Sequence, residues 1–148
     1  LRLLRVVIFG YFNLINENMK HAYAFEKLDV WQRGRELNRQ IYQLSGQLPG
    51  EEKFGIVNQV RRASVSVTCN LAEAAQEPIK DQARFSEIAY GSLMEVLNLL
   101  ITASDLNYLQ PSDVDRVRPL VEEMSRKINA LRLSQLEKHK RQKNNPPA

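Results

Sequence analysis

The amino-acid sequence predicts an all-α fold, specifically an up-down-up-down antiparallel four-helix bundle. From residue 24 onward, apolar residues recur every three or four positions, which is the period of an α-helix. Proline, glycine and short polar stretches divide this pattern into four segments. No stretch long enough to form a strand shows the alternation of apolar and polar residues that is typical of strands. Because long helices with short connections pack beside their sequence neighbours, a bundle is the expected arrangement.

The first helix is predicted over residues 24–48, where Pro49 and Gly50 end it. Gly34 lies within its apolar stripe and is expected to allow close approach of a second helix, although it could also be a loosely packed position. The stripe consists of Val30, Gly34, Leu37, Ile41, Leu44 and Leu48.

The second and third helices are predicted over residues 54–76 and 79–108, separated by Pro78. The stripe of the third helix passes through Ser92, beside Gly91, and this pair without bulk is expected either to permit close helix approach or to be a loosely packed position. The second stripe is Ile56, Val60, Ala63, Val67, Leu71 and Ala74; the third is Phe85, Ile88, Ser92, Val96, Leu99, Ala103 and Leu106.

The fourth helix is predicted over residues 112–137, with Ser112 as its N-cap and acidic residues in its first turn. Pro119 is expected to kink this helix or to mark a late start. The apolar positions are spaced three, four, three, four and three, at Val114, Val117, Val121, Met124, Ile128 and Leu131.

The second helix is predicted to pack on two sides. At 100° per residue, its core stripe leaves Val65, Cys69 and Ala72 on the opposite side, where a surface helix is normally charged. Arg62 and Glu73 flank these small apolar residues and form a polar rim. A second subunit is the expected cover for such a face, so these five residues are predicted to form a subunit interface.

The ends of the chain carry its positive charge. The net charge is +4 overall, but residues 24–136 hold 14 basic and 15 acidic side chains, a net of −1. Residues 138–148 are predicted to be a basic disordered tail after a bundle domain over 24–137. Such a tail contacts nucleic acid in some proteins and is a solvated terminus in many others.

Residues 1–23 are predicted to be an extension outside the bundle. Their apolar run is too short to span a bilayer. The alternatives are a non-native or disordered stretch ahead of a true start at Met19, a signal peptide with Ala22-Tyr23-Ala24 as its cleavage site, and an ordered part of the fold.

The chain lacks the residue patterns of the common catalytic and metal sites. It has one cysteine, Cys69, and two distant histidines, His21 and His139, and it has no glycine-rich phosphate loop and no Glu-x-x-His pair. We therefore expect no enzyme activity, no metal, no cofactor, no small-molecule substrate and no membrane insertion.

Three stretches carry a family resemblance. The segments FEKLDVWQRGRELNRQIYQL, EEKFGIVNQVRRASVSVTCNLAEAA and RFSEIAYGSLMEVLNLLITASDLNYL, over residues 25–131, resemble the bacterial four-helix-bundle family of 23S rRNA-intervening sequence proteins. The family is similar to the accessory variability determinant proteins of diversity-generating retroelements. The resemblance implies a ring-like, cytoplasmic homopentamer with RNA, DNA or a reverse transcriptase as partner, and the alternative is a purely structural or protein-interaction oligomer.

The candidate nucleic-acid contacts follow from this resemblance. One departure weakens them, because the family's usual glycine and basic residue after the Asn-x-Ala-Glu motif are replaced here by Ala74 and the neutral-to-acidic AQEP. Lys80 and Arg84 compensate in part. The full set of candidate contacts is Arg61, Arg62, Lys80, Arg84, Lys138, Lys140, Arg141 and Lys143.

Overall fold

The computed structural model describes residues 23–145, and the predictions made for residues 1–22 and 146–148 lie outside this range. Within it, the fold is all-helical and has no β-strand, which confirms the all-α part of the predicted fold class. The four helices are α1 (Asp29–Ser45), α2 (Ile56–Gln76), α3 (Ile79–Asp105) and α4 (Pro111–Asn144); two short 3₁₀ turns, Ala24–Lys27 and Gly50–Phe54, precede α1 and α2.

The helices form a four-helix bundle around one apolar core. Each helix packs against its sequence neighbours and α1 also packs against α4, whereas no two Cα atoms of the described residues lie within 8 Å of each other across either diagonal. Every helix supplies fully buried side chains to the core, because each carries an apolar stripe at helical spacing. The largest are Leu37, Ile41, Leu71, Leu93, Met124 and Ile128.

Polar pairs also join neighbouring helices. The hydroxyls of Ser66 on α2 and Ser92 on α3 are 2.9 Å apart. Ser86 donates to the Gln135 side chain across α3 and α4 at 2.7 Å, and both residues are buried. A buried polar group without a partner is costly, so these pairs help to fix how the helices align.

The first helix is shorter than predicted. Leu28 has an extended backbone between the first 3₁₀ turn and α1, and α1 ends at Ser45, three residues before Leu48. The second 3₁₀ turn then leads into α2, and the Glu52 side chain accepts a hydrogen bond from the Ile56 backbone N–H at 3.0 Å. That bond satisfies one of the free donors at the start of α2.

The third helix ends at Asp105, rather than at residue 108, because the chain turns sharply there. Asn107 has a positive φ of 60°, the left-handed conformation that asparagine tolerates better than most residues. The N–H of Tyr108 reaches back to the Ala103 carbonyl at 2.9 Å, which satisfies an acceptor at the helix end.

The start of α4 corrects the predicted cap. The N-cap is Gln110, not Ser112, and the Asp113 carboxylate accepts a hydrogen bond from the Gln110 N–H at 2.9 Å. Pro119 neither delays nor interrupts α4. It is exposed, so the Asp115 carbonyl that loses its partner lies on the solvent side, where water can replace the bond.

The predicted tail is helical in the structure. Residues 138–144, which were predicted to be disordered, continue α4 to Asn144. Glycine and proline are absent between Glu137 and Asn144, and Arg141 pairs with Glu137 at 3.2 Å one turn earlier. Basic residues also favour the negative end of a helix dipole, so this segment has local reasons to stay helical.

The two glycines singled out from the sequence behave differently. Gly34 is buried where α1 meets α2 and α4, which confirms its predicted role in close approach. Gly91 is exposed, and a β-carbon there would have no neighbour within 4 Å. The prediction that a second helix approaches closely at Gly91 is therefore wrong. Ser92 is buried as expected.

Candidate subunit and nucleic-acid interfaces

The inner face of α2 matches its prediction closely. Val60, Ala63, Val67, Leu71 and Ala74 are buried. Helical angles alone put Thr68 beside the outer face, yet Thr68 is buried and accepts a hydrogen bond from the Asn38 amide at 3.3 Å. Its side chain is covered because α1 packs over this flank of α2, where Gly34 has no side chain.

The outer face of α2 brings together the five residues predicted to form a subunit interface. Val65 is 37% exposed, Cys69 is exposed and Ala72 is half-buried. Arg62 and Glu73 are exposed on the flank of this apolar strip that is nearer to α3. We call these five residues the α2 outer face.

Arg62 and Glu73 have no ion pair or hydrogen bond to any other side chain in the part of the chain that the structure describes. Two shallow grooves border the α2 outer face, one toward α1 and one toward α3, and Arg62 lines both of them. The charged rim is therefore available for contacts with another molecule.

Arg61 is held within the bundle. Its Nε donates to the Ser45 hydroxyl at 2.8 Å, and its guanidinium lies 4.8 Å from the centre of the Tyr42 ring. A cation over an aromatic face is stabilised by the ring quadrupole. Arg61 therefore ties α2 to α1, unlike the neighbouring Arg62.

The basic residues near the start of α3 and the end of α4 meet in one groove. Lys80 on α3 and Lys143 on α4 line it together with His139, and both lysines are exposed. They are far apart in sequence and become neighbours because the buried Ser86–Gln135 pair holds these two helix ends side by side.

The other candidate cations differ in whether they have an ion-pair partner. Arg84, Lys138 and Lys140 are exposed and have no ion-pair partner among residues 23–145. Arg141 is paired with Glu137. We use the name basic end for the five exposed cations without a partner, which are Lys80, Arg84, Lys138, Lys140 and Lys143.

A second apolar stripe on α3 was not identified from the sequence. Tyr90, Met94 and Leu97 pack half-buried against the core, and Ile101 is 38% exposed. Their spacing of four, three and four residues is a helical repeat about 80° away from the buried Leu93 line. The spacing is present in the sequence. It was not recognised because the predicted core stripe already explained the amphipathic pattern of this helix.

An ionic cluster joins α1 to α4 away from both candidate interfaces. Arg33 donates to both carboxylate oxygens of Glu123 at 2.6–3.1 Å, and Lys127 bonds both Glu123 and Asp29. The Arg33 hydrogen bonds, followed by that from Lys127, lower the pKa of Glu123. Hydrogen bonds to Asp29 and Glu123 raise the pKa of Lys127.

The described residues contain neither a metal-binding cluster nor a helix that could span a membrane. Residues 23–145 contain no group of three or more His, Cys, Asp or Glu side chains arranged to hold a metal ion. None of the helices in this range is both long enough and apolar enough to cross a membrane.

A protein-family model matches most of the chain. The model of a protein family described as 23S rRNA-intervening sequence protein matches residues 26–130, more than two thirds of the chain. The matched region runs from the first 3₁₀ turn into α4 and includes the whole α2 outer face. No curated protein matches the chain.

Proposed function

The chain belongs to the family of 23S rRNA-intervening sequence proteins, and on that basis we propose that it is a non-catalytic, homo-oligomeric module that binds nucleic acid. The proposed complex is cytoplasmic and uses no metal, cofactor or small-molecule substrate. The observation that carries the nucleic-acid part is the groove at the basic end that Lys80 of α3 and Lys143 of α4, both exposed, line together.

The proposed assembly is a ring of identical subunits, with five as the expected number. Its first contact surface is the α2 outer face. Support comes from the exposure of Val65 and Cys69 at the centre of that face and from the unpaired Arg62 and Glu73 beside them. An apolar strip with a polar rim is the usual anatomy of a protein interface.

The proposed bundle is antiparallel, with helices running up, down, up and down. The polar pairs support this arrangement, because residue numbers rise on one helix as they fall on its neighbour. Asp29 and Arg33 of α1 meet Lys127 and Glu123 of α4 in that reversed order. Ser86 and Glu87 of α3 likewise meet Gln135 and Arg132 of α4.

The proposed nucleic-acid contacts are to phosphates. Lysine ammonium groups act as point charges on the backbone and carry no sequence information, so binding is expected to be strong at low salt and indifferent to sequence. Arg61 and Arg141 are weaker candidates, because Arg61 already bonds Ser45 and Arg141 pairs with Glu137. Arg62 is assigned to the subunit contact.

Native mass measurement, with and without nuclease treatment, tests both parts of the proposal. The expected result is an oligomer that loses mass on nuclease treatment and keeps its subunit number. A titration of the purified protein with duplex and single-stranded RNA and DNA should then show affinity that falls steeply with salt. Undetectable binding, or binding insensitive to salt, contradicts the nucleic-acid part.

The second candidate function is a structural or protein-interaction oligomer without nucleic acid. The observation that favours it is the position of the cations at the C-terminal end of α4, where positive charge stabilises the helix itself. A protein partner, such as a reverse transcriptase, would remain bound after nuclease treatment. Recovery of the same protein partner with and without nuclease, and no bound nucleic acid, favours this second function.

A further inference from the structure

A ring with an odd number of subunits requires two different contact surfaces on each chain. A face that meets its own copy about a two-fold axis closes a dimer, whereas a ring is built head to tail from unlike surfaces. The α2 outer face supplies one surface of the proposed assembly. In such a ring, the neighbouring copy must receive the α2 outer face on a different surface.

We propose that the α2 outer face of one copy docks on the second apolar stripe of α3, together with the adjoining side of α4, in the next copy. The receiving surface consists of Tyr90, Met94, Leu97 and Ile101 on α3 and Glu122 and Arg132 on α4. This inference rests on the proposed function, because it assumes the cyclic assembly and the antiparallel bundle.

The two surfaces overlap in height along the bundle. In a ring whose axis runs along the helices, residues at the same height in neighbouring copies face each other. The Ser66–Ser92 pair places Val65 level with position 93 of α3 and Cys69 level with position 89. The apolar residues of the α2 outer face therefore stand at the heights of Met94 and Tyr90.

The two surfaces also match in length. Arg62 and Glu73 are eleven positions apart, as are Tyr90 and Ile101. At 1.5 Å per residue, each surface is about 16 Å long. Small residues at the centre of the α2 outer face allow a neighbouring helix to approach closely, and the larger side chains of the α3 stripe supply the apolar area to be covered.

Charge at the two ends of the receiving surface is complementary to the rim. The Nε of Arg132 is buried and has no hydrogen-bond partner in residues 23–145, and its only ionic contact is with Glu87 at 3.5 Å. Through the Ser86–Gln135 pair, Arg132 stands about one helical turn from the height of Glu73. The exposed Glu122 carboxylate, which has no partner within the described range, stands about one turn from the height of Arg62.

The single cysteine at the centre of the α2 outer face makes this arrangement testable by crosslinking. A Met94→Cys variant, treated with a short bis-maleimide, should join Cys69 of one chain to position 94 of the next. We expect a ladder of crosslinked chains, up to the subunit number measured by native mass. Wild-type protein should give no crosslinked species, because the proposed head-to-tail contact keeps the Cys69 side chain of one copy away from that of the next.

The matched control is Glu95→Cys, which moves the thiol one residue along α3 to an exposed site on its other flank and should give no ladder. If circular dichroism shows that Met94→Cys is unfolded, Tyr90→Cys at the height of Cys69 replaces it. Crosslinked wild-type dimers, or an assembled Met94→Cys protein without a ladder, overturn the docking surface. A wild-type monomer in native mass overturns the proposed assembly itself.

Discussion

Gly34 on α1 and Thr68 on α2 are so close that a β-carbon at position 34 would lie 2.7 Å from the Thr68 Cγ2 atom. Real β-carbons do not approach neighbours to this distance, so either the Thr68 side chain or one of the two helices would have to move. The same β-carbon would also be 3.5 Å from the Met124 Cε atom of α4. That second distance is an ordinary van der Waals contact, so the absence of a side chain at residue 34 matters chiefly for the close approach of α1 to α2.

Gly34→Ala is expected to destabilise the protein by about 1 kcal/mol, since overpacking a core costs about 1–3 kcal/mol and the gain in helix propensity returns about 1 kcal/mol. Urea unfolding at neutral pH measures the change. Gly91→Ala is the matched control and should stabilise by about 0.5–1 kcal/mol, because its β-carbon meets nothing within 4 Å. Equal effects at both glycines would contradict the close contact.

Charge placed on the α2 outer face should dissolve the assembly without unfolding the chain. Cys69→Arg and Val65→Glu each bury an unpaired charge in the proposed contact, while both positions are exposed in the separate subunit. Light scattering should report monomers, and circular dichroism should report unchanged helicity. Arg39→Glu, at an exposed site on α1, should leave the oligomer intact. A monomeric wild-type protein argues against this assignment of the interface.

Reversal of charge tests the proposed pairing of Glu73 with Arg132 in the next copy. Glu73→Arg and Arg132→Glu should each weaken the assembly roughly tenfold or more, because like charges then face each other in the contact. The double variant should recover most of that loss. Sedimentation at a series of protein concentrations gives the association constant of each variant and hence the coupling energy between the two residues. If the losses of affinity in the double variant are additive, the two residues do not pair.

Removal of single cations at the basic end should weaken nucleic-acid binding uniformly across sequences. Lys80→Ala and Lys143→Ala are each expected to lower the slope of log affinity against log salt by about one contact. Lys53→Ala is the control. Lys53 is exposed in the 3₁₀ turn before α2, whereas the opposite end of α2 leads into the start of α3, where Lys80 lies. Equal losses for all three lysines would indicate a general charge effect rather than a site.

Acid should weaken the α1–α4 connection through Glu123. Its pKa in the folded protein is lowered from the ordinary value of 4.5 by hydrogen bonds from Arg33 and Lys127. The stability contributed by ionised Glu123 is therefore present above about pH 4.5 and is lost as the pH falls through the lowered folded-state value. Glu123→Gln should reduce the difference in urea midpoint between about pH 7 and pH 3. Glu95→Gln, at an exposed position without an ion pair in the described range, should not.

The sequence predicted most of the helices because apolar periodicity is a local signal. The inner face of α2 follows from spacing alone, and Val60, Val67 and Leu71 are buried as expected. Local signals failed where a tertiary contact decided the result: Thr68 is buried because α1 crosses it at Gly34. The end of α4 was missed for a different reason, since a basic composition suggested disorder although no glycine or proline lies between Glu137 and Asn144.

The candidate surfaces were predicted only in part. The α2 outer face follows from angles on one helix, so its members could be named in advance. The basic end depends on two helix ends that a buried hydrogen bond holds together, and periodicity carries no information about that pairing. Arg61 and Arg62 are adjacent and identical in type, yet only the folded structure reveals that Tyr42 and Ser45 hold the first of them.

The length of α4 has a consequence for binding strength. Lys127 meets Asp29 at the start of α1, and α4 continues for 17 more residues, about 25 Å, without α1 beside it. In a cyclic assembly every copy would point this basic segment of α4 toward the same side. A long polyanion would then engage several segments at once, and linked weak sites gain avidity through effective concentration. An affinity too weak to detect in one isolated subunit is therefore compatible with tight binding by the ring.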